Sequence, residues 1–298
     1  MTPGIRLIHK PQGPTSFKLV RSRFRDSPAP PGRRPRRICH GGTLDPFASG
    51  LLLILIEPAT QLFDYLHAIP KVYDATVQWG TETDTGDLLG NVVSTGDPSN
   101  LNAQMLDDAL ATFTGWREQM PHPTSAKRID GERAYLKVHR GETVEMPASK
   151  VYLHEAHWIA HNLPLESQLQ ITVRGGYYVR ALARDLGQLL SCGAHLTQLH
   201  RASIGPWVDP GPAEWVDLHG RDILPWAPTK ILTERDIADL KQGKTISAEN
   251  VLPPDWQLPP EFPDPQPPVR GFHNEKLRFL LKPTEGQLGL LTQLGGGL

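Results

Sequence analysis

The chain has 298 residues, 39% hydrophobic and 21% charged, with a net charge of −1; this suits one large domain with an appendage, or two modest ones, and excludes wholesale disorder. Two cysteines, Cys39 and Cys192, exclude a disulfide framework and a four-cysteine zinc site. The longest apolar run, Leu51 to Ile56, is too short to span a bilayer, and MTPGIRLIHKPQG has no apolar signal core, so a soluble cytoplasmic protein is expected.

In chain order, Ile5 to His9 reads as a short strand and Lys10-Pro-Gln-Gly-Pro as the turn after it. Ser16 is placed to cap a basic helix reaching about Arg25, which the Pro-rich tract Ser27 to Pro35 ends. From Lys10 to Arg37 nine Lys and Arg stand against one acid, Asp26, with Arg33, Arg34, Arg36 and Arg37 closing the run. The run reads equally as a polyanion-facing surface and as a solvated loop. CHGGTLDPFASG is a polar, Gly-rich lead into the buried strand LLLILI. Thr60 is placed to cap a helix from Gln61 to Ile69. Lys71 to Trp79 alternates, with Tyr73, Ala75, Val77 and Trp79 on one face, as in a half-buried strand. TETDTGDLLGN then links it to a partner strand at Val92–Val93.

Leu101 to Phe113 carries a helical stripe, Gly131 to Arg140 a short helix, and Val151 to Ile159 and Leu169 to Val173 two strands. Val179 to Leu190 is the clearest helix, with Val179, Leu182, Ala183, Leu186, Leu189 and Leu190 on one side. After about Asp222 the texture changes. Thr233-Glu-Arg-Asp236 has the form of a capping box. Eight prolines between Pro253 and Pro268 exclude a helix or a central strand. Lys276 to Lys282 and Gln287 to Leu291 form a final hairpin. The expected division is 1–222 and 223–298, the second part small and β-rich.

Asp45, in GGTLDPFASG, sits in a loop stiffened by Pro46 and narrowed by Gly41 and Gly42, ahead of a buried strand. That is a place for a fixed chemical role; taken alone it is also a place for an Asx-turn. Tyr73 alone reads as core, Tyr178 and Arg180 as a buried tyrosine and a surface arginine at a helix start, and His40 as a turn residue. No HExxH, paired CxxC, GxxxxGK[ST], strand-following GxGxxG or GxSxG pattern is present, so neither a metal nor a cofactor is expected.

Taken together and in order, HGGTLDPFASG, KVYDATVQWGTETDTGDLLG, QMPHPTSAKRIDGERAY, GGYYVRALARDLGQLL and GAHLTQLHRASIGPW resemble the TruB family of tRNA pseudouridine synthases. IHKPQGPTS matches the family's Lys-Pro-x-Gly opening, and the likeness runs over roughly residues 5 to 207. The resemblance implies an α+β fold on a mixed, mainly antiparallel sheet, with residues 1–222 as the catalytic domain and 223–298 as a small unit where relatives carry a PUA-like RNA-binding module. It implies that Asp45 is the nucleophile, that His40 contacts the target nucleotide and fills the space left by base extrusion, that Tyr73 stacks on the flipped uracil, and that Tyr178 is a second active-site tyrosine. Arg180 would pair with the catalytic carboxylate, Leu199 would line the uracil pocket, and Lys10 would have a structural role. The substrate implied is uridine 55 in the TΨC arm of tRNA, with no cofactor and no obligatory protein partner; a monomer is expected.

The family's Gly-Thr-Tyr is Gly176-Tyr177-Tyr178 here, its Tyr-Ser-Ala or Phe-Ser-Ala is Thr124-Ser125-Ala126, and its Gly-x-Ala-Thr-Lys is Glu57-Pro58-Ala59-Thr60-Gln61. The chemistry suits the residues. An N-glycosidic bond is broken and a C–C bond made to the same base, which asks for a nucleophile, proton transfer and a retaining pocket. Attack at C1′, attack at C6 and a glycal route stay open. Extruding the base costs a few kcal/mol, which the basic segment ending in Arg33, Arg34, Arg36 and Arg37 could recover through phosphate contacts. Two other readings remain: an RNA chaperone without catalysis, disfavoured by the intact Asp45, Tyr73, Tyr178 and Arg180 set, and the archaeal and eukaryotic relative that works in a guide-RNA particle, disfavoured by the lack of a Lys-rich tail.

Overall fold

The computed structural model describes residues 2–25, 35–125, 127–129, 131–134, 137 and 140–298. Their strands are β1 (Gly4–Lys10), β2 (Ile38–His40), β3 (Ser49–Ile56), β4 (Lys71–Trp79), β5 (Thr81–Thr83), β6 (Val92–Thr95), β7 (Gly115–Gln119), β8 (Arg128–Ile129), β9 (Glu132–Arg133), β10 (Ser149–Asn162), β11 (Glu166–Val173), β12 (Ala194–Ile204), β13 (Trp207–Val208), β14 (Trp215–Leu218), β15 (Thr229–Ile231), β16 (Ile246–Ser247), β17 (Val269–His273), β18 (Lys276–Thr284) and β19 (Gln287–Gln293). The helices used below are α1 (Ser16–Val20), α2 (Phe63–His67), α3 (Ala103–Ala111), α4 (Val179–Leu189) and α5 (Glu234–Lys241). A ten-stranded sheet runs β14-β1-β3-β12-β4-β11-β10-β7, with β2 beside β3 and β13 beside β12. Its pairs are antiparallel except β12 with β3, where Arg201 lies opposite Gly50. A second, five-stranded sheet runs β15-β17-β18-β19-β16. The fold is thus α+β, mainly antiparallel, with a β-rich C-terminal region.

The apolar run in β3 is explained by what covers its two faces. Leu51, Leu53 and Leu55 pack into a core shared with Phe272, Leu277 and Leu280 of the second sheet. Leu52, Ile54 and Ile56 pack against Leu19, Val20 and Phe24. The alternation read in β4 is real: Tyr73, Ala75, Val77 and Trp79 join a core with Leu106 and Leu110 of α3 and Leu182 and Leu186 of α4. Burying Leu182 and Leu186 contributes ~1.5–3 kcal/mol each. The α5 capping box forms, with Thr233 Oγ1 accepting from Asp236 N and Asp236 Oδ2 accepting from Thr233 N. The proline tract carries no helix and no named strand, and the closing hairpin is β18–β19.

Several expectations need correction. Thr15, not Ser16, caps α1 through Lys18 N, because the Ser16 hydroxyl is committed to Leu44. The helix widens to a π turn over Arg21–Arg25. No side chain caps the segment after Pro58; a 3-10 turn at Ala59–Leu62 leads into the short α2. Val92–Thr95 pairs with Thr81–Thr83, since both edges of β4 are already taken by β11 and β12. In the segment read as a helix from Gly131 to Arg140, Glu132–Arg133 is a strand paired with Arg128–Ile129, and Tyr135, Leu136, Val138 and His139 lie outside the described residues. Strand β12 was not expected, because buried His195 and Arg201 break its apolar pattern.

Candidate active site

The loop between β2 and β3 enters a cavity of about 260 Å³ lined by Asp45, Tyr73, Tyr178, Arg180, Leu199 and Arg201, among others. Arg180, in the first turn of α4, meets Asp45 with both forks. Its Nε donates to Oδ2 at 3.0 Å and its Nη2 to Oδ1 at 3.2 Å. The guanidinium side chain is 7% exposed and the carboxylate side chain 31%, so the pair is anchored on the protein side and open on the cavity side. Nη1 donates to Thr85 O at 2.6 Å and Thr124 Oγ1 at 3.0 Å, and lies 3.4 Å from Asp87 Oδ2. One buried cation therefore faces two carboxylates, and a two-point arginine fork fixes orientation as well as charge.

The Asp45 loop is tied down at its carbonyls. Buried Arg201 donates to Gly42 O, Thr43 O and Leu51 O. Ser16 Oγ donates to Leu44 O and accepts from Leu44 N. Lys10, with no exposed surface, donates to Pro46 O at 3.4 Å and Ala48 O at 2.7 Å; burial pulls its ammonium down to about 8. Gly50 is required by this arrangement, since a Cβ there would sit 2.4 Å from Arg201 O.

Tyr73 on β4 is 8% exposed. Its hydroxyl accepts from Arg201 Nη1 at 3.3 Å, and the Arg201 guanidinium lies 5.9 Å from the ring centroid. Leu199 on β12 stands opposite Ala75. Tyr178 caps the start of α4 by backbone alone, and Gln119 holds it from both sides: Oε1 accepts from Tyr178 N and Nε2 donates to Tyr178 O. Burial pushes the Tyr178 phenol up; Arg180 pulls it down and Asp45 adds to the rise. The turn before it needs Gly175, whose Cβ would fall 1.9 Å from His67 O. Lys71 ends α2 by donating to Leu66 O, His67 O and Ile69 O, and burial, then Arg201 and Arg174, bring its ammonium down to about 7.

The chain matches the model of the TruB family pseudouridylate synthase N-terminal domain over residues 33–179. It is 36% identical over 265 residues to tRNA pseudouridine synthase B of Synechococcus sp. (strain CC9311), covering 83% of this chain and 86% of that protein. The chain belongs to the TruB family. A second TruB relative, tRNA pseudouridine synthase B of Corynebacterium glutamicum (strain R), is 38% identical over 208 residues, covering 69% of this chain and 68% of its own. In fold, the chain is similar to one in the crystal structure of a Cbf5-Nop10-Gar1 complex, with a TM-score of 0.61 at 17% identity, covering 98% of this chain and 84% of that one.

Of the residues singled out from the sequence of this TruB member, the structure brings Asp45, Tyr73, Tyr178, Arg180 and Leu199 to one cavity. It does not bring His40 there; His40 ends β2 opposite Ile54. Arg36 donates to Glu57 O, and the Arg37 backbone donates to Glu57 Oε2; Arg33 and Arg34 lie outside the described residues. Sequence reading passed over Arg201, Asp87 and Gln119, took Ser16 for a helix cap, and noted Thr124 only as a departure from the family pattern. A charged residue inside the otherwise apolar rhythm of LTQLHRASI was the available signal for Arg201. Among the described residues, no group of three His, Cys, Asp or Glu side chains is placed to hold a metal ion, and no helix is long and apolar enough to cross a membrane.

Replacing Tyr73 with Leu is expected to cut single-turnover pseudouridine formation at least tenfold, because leucine fills the site but offers no extended ring face, which is worth ~1–3 kcal/mol per stacked base. The loss of one partner for buried Arg201 adds ~1–3 kcal/mol of destabilisation. Comparing activity per folded molecule with the thermal midpoint checks this. A lowered midpoint with unchanged activity makes Tyr73 a core residue only.

Proposed function

We propose that this protein isomerises uridine to pseudouridine at position 55 in the TΨC arm of tRNA, with Asp45 as nucleophile. The observation that carries the reading is the Arg180–Asp45 fork lining one cavity together with Tyr73 and Leu199, in a chain whose family relatives are named tRNA pseudouridine synthase B. The carboxylate is held at a fixed angle with one face open, as an attacking group requires. Tyr73 and Leu199 would hold the uracil after its glycosidic bond breaks, so that the base turns and rejoins through carbon. Tyr178, beside Asp45, would close the pocket, and His40 would act outside it, at the duplex the base leaves. The carboxylate can begin this sequence at C1′ or C6, or by way of a glycal.

Residues 1–222 would form the catalytic domain and residues 223–298, with the second sheet, a PUA-like RNA-binding unit; their shared core at Phe272, Leu277 and Leu280 would fix the two together. The enzyme would act as a cytoplasmic monomer without a protein partner. Incubating the pure protein with an unmodified tRNA transcript and mapping pseudouridine tests the reading. Product at position 55 supports it; product elsewhere corrects the target, and none at all overturns it. A guide-RNA requirement would place the protein in a particle.

Arg33, Arg34, Arg36 and Arg37, all changed to Gln, are expected to weaken tRNA binding and flatten its salt dependence, with little change in the single-turnover rate at saturating tRNA. Each phosphate contact contributes a slope of ~0.7–0.9 in a log–log plot of affinity against salt. Parallel lines of equal affinity for variant and wild type would take this cluster off the RNA.

A further inference from the structure

We propose that Leu88 and Leu89, at the tip of the β5–β6 hairpin, form an apolar contact with the faces of RNA bases next to the flipped nucleotide, an inference that rests on the RNA-modifying reading above. Leu88 is 48% exposed and Leu89 63%, and Val92 and Val93 beside them are 60% and 58% exposed. Apolar groups clustered in water on a surface are a mark of contact. The tip is also rigid. Asp87 organises it: Thr83 Oγ1 and Gly90 N donate to its carbonyl, and Thr85 Oγ1 and Leu89 N donate to its carboxylate. Asn91 closes the turn on Asp84 through both its backbone and side-chain amides. Gly86 leaves no room for a Cβ, which would fall 2.4 Å from His122 Nε2. The two leucines are thus displayed without an ordering cost when they meet a partner.

Position and charge select the partner. The root of the tip is one guanidinium from the reacting carboxylate, since Arg180 donates to both Thr85 O and Asp45. Nucleotides flanking one extruded into the cavity would pass near this point. Between Thr81 and Thr95 there is no Lys or Arg, while Glu82, Asp84 and Asp87 are acidic. Such a tip repels phosphate and offers apolar side chains, Leu88 and Leu89 foremost with Val92 and Val93 behind them, which suits the exposed faces of bases whose stack has been opened. Apolar wedges at opened base steps work in this way. A second copy of the chain fits poorly: a few side chains on a hairpin tip fall far short of the roughly 800 Å² per partner of a stable interface.

The test is the double substitution Leu88→Ser and Leu89→Ser, read by Kd for unmodified tRNA at several salt concentrations, with thermal melting as the control for folding. The expected result is about tenfold weaker binding along a line parallel to wild type, because no ion is released at an apolar contact. Leu88→Met with Leu89→Met should restore affinity. If the double variant melts early, Leu89→Ser alone carries the same test. A Kd within twofold of wild type, a changed salt slope, or a wild-type dimer that the variant breaks would each overturn the proposal. Failure of the wild type itself to bind or modify tRNA would instead overturn the underlying reading.

Discussion

Asp45→Asn is expected to abolish pseudouridine formation, by at least about a hundredfold, while tRNA binding and the thermal midpoint stay near wild type. An amide has the shape of the carboxylate but cannot serve as the attacking group. It can still accept one hydrogen bond from the Arg180 fork, now 3.0 and 3.2 Å from the two oxygens. The loop does not depend on the Asp45 side chain for its shape, since Lys10, Ser16 and Arg201 hold its carbonyls. Single-turnover assays on freshly prepared protein, with mass spectrometry to exclude deamidation, check the prediction. Activity above a few per cent would take the nucleophile's role from Asp45.

Arg180→Met should be as damaging to activity and, unlike Asp45→Asn, costly to stability. Removing the cation strands buried Asp87 and leaves the more open Asp45 without its partner, and stranding a buried charge in this way costs ~3–5 kcal/mol. Methionine keeps much of the stem volume, so packing loss is the smaller part. Adding Asp87→Asn to the variant removes one of the stranded charges. The double variant is expected to regain most of the thermal midpoint and none of the turnover. Chemical denaturation and single-turnover rates on the same samples separate the two effects. If activity returns along with stability, Arg180 serves the fold and not the reaction proposed for Asp45.

Much of this was legible in the sequence, for physical reasons that differ by element. Alternation wrote β4 plainly because one of its faces meets α3 and α4. The α4 stripe was equally plain except at Leu189, read on the same side but 54% exposed at the helix end, and so was the β3 run, which is apolar throughout because both of its faces are covered. The order of motifs brought Asp45, Tyr73, Tyr178, Arg180 and Leu199 to notice, and all five reach the same cavity. What stayed hidden was the work of buried polar side chains. Ser16 looks like a cap because a serine before a helix usually is one; its true partner, Leu44, is 28 residues away. Arg201 and Asp87 serve residues more than ninety positions distant, Gly42 and Arg180 respectively, and no local pattern records that. The β12 strand was missed for the same reason, since the residues that anchor the site spoil its apolar rhythm.

The carbonyl ties on the Asp45 loop have a consequence for how the molecule comes into being. Lys10, Ser16 and Arg201 reach that loop from both ends of the catalytic region, Arg201 from 150 to 159 positions away along the chain. Contacts so distant in sequence form slowly, because the loop between them must close before they reward it. The setting of Asp45 is therefore complete only when β12 docks beside β3, and not when the local turn forms. A fragment ending before β12 lacks Arg201 and its donors to Gly42 O, Thr43 O and Leu51 O, and is expected to form no pseudouridine in the same single-turnover assay.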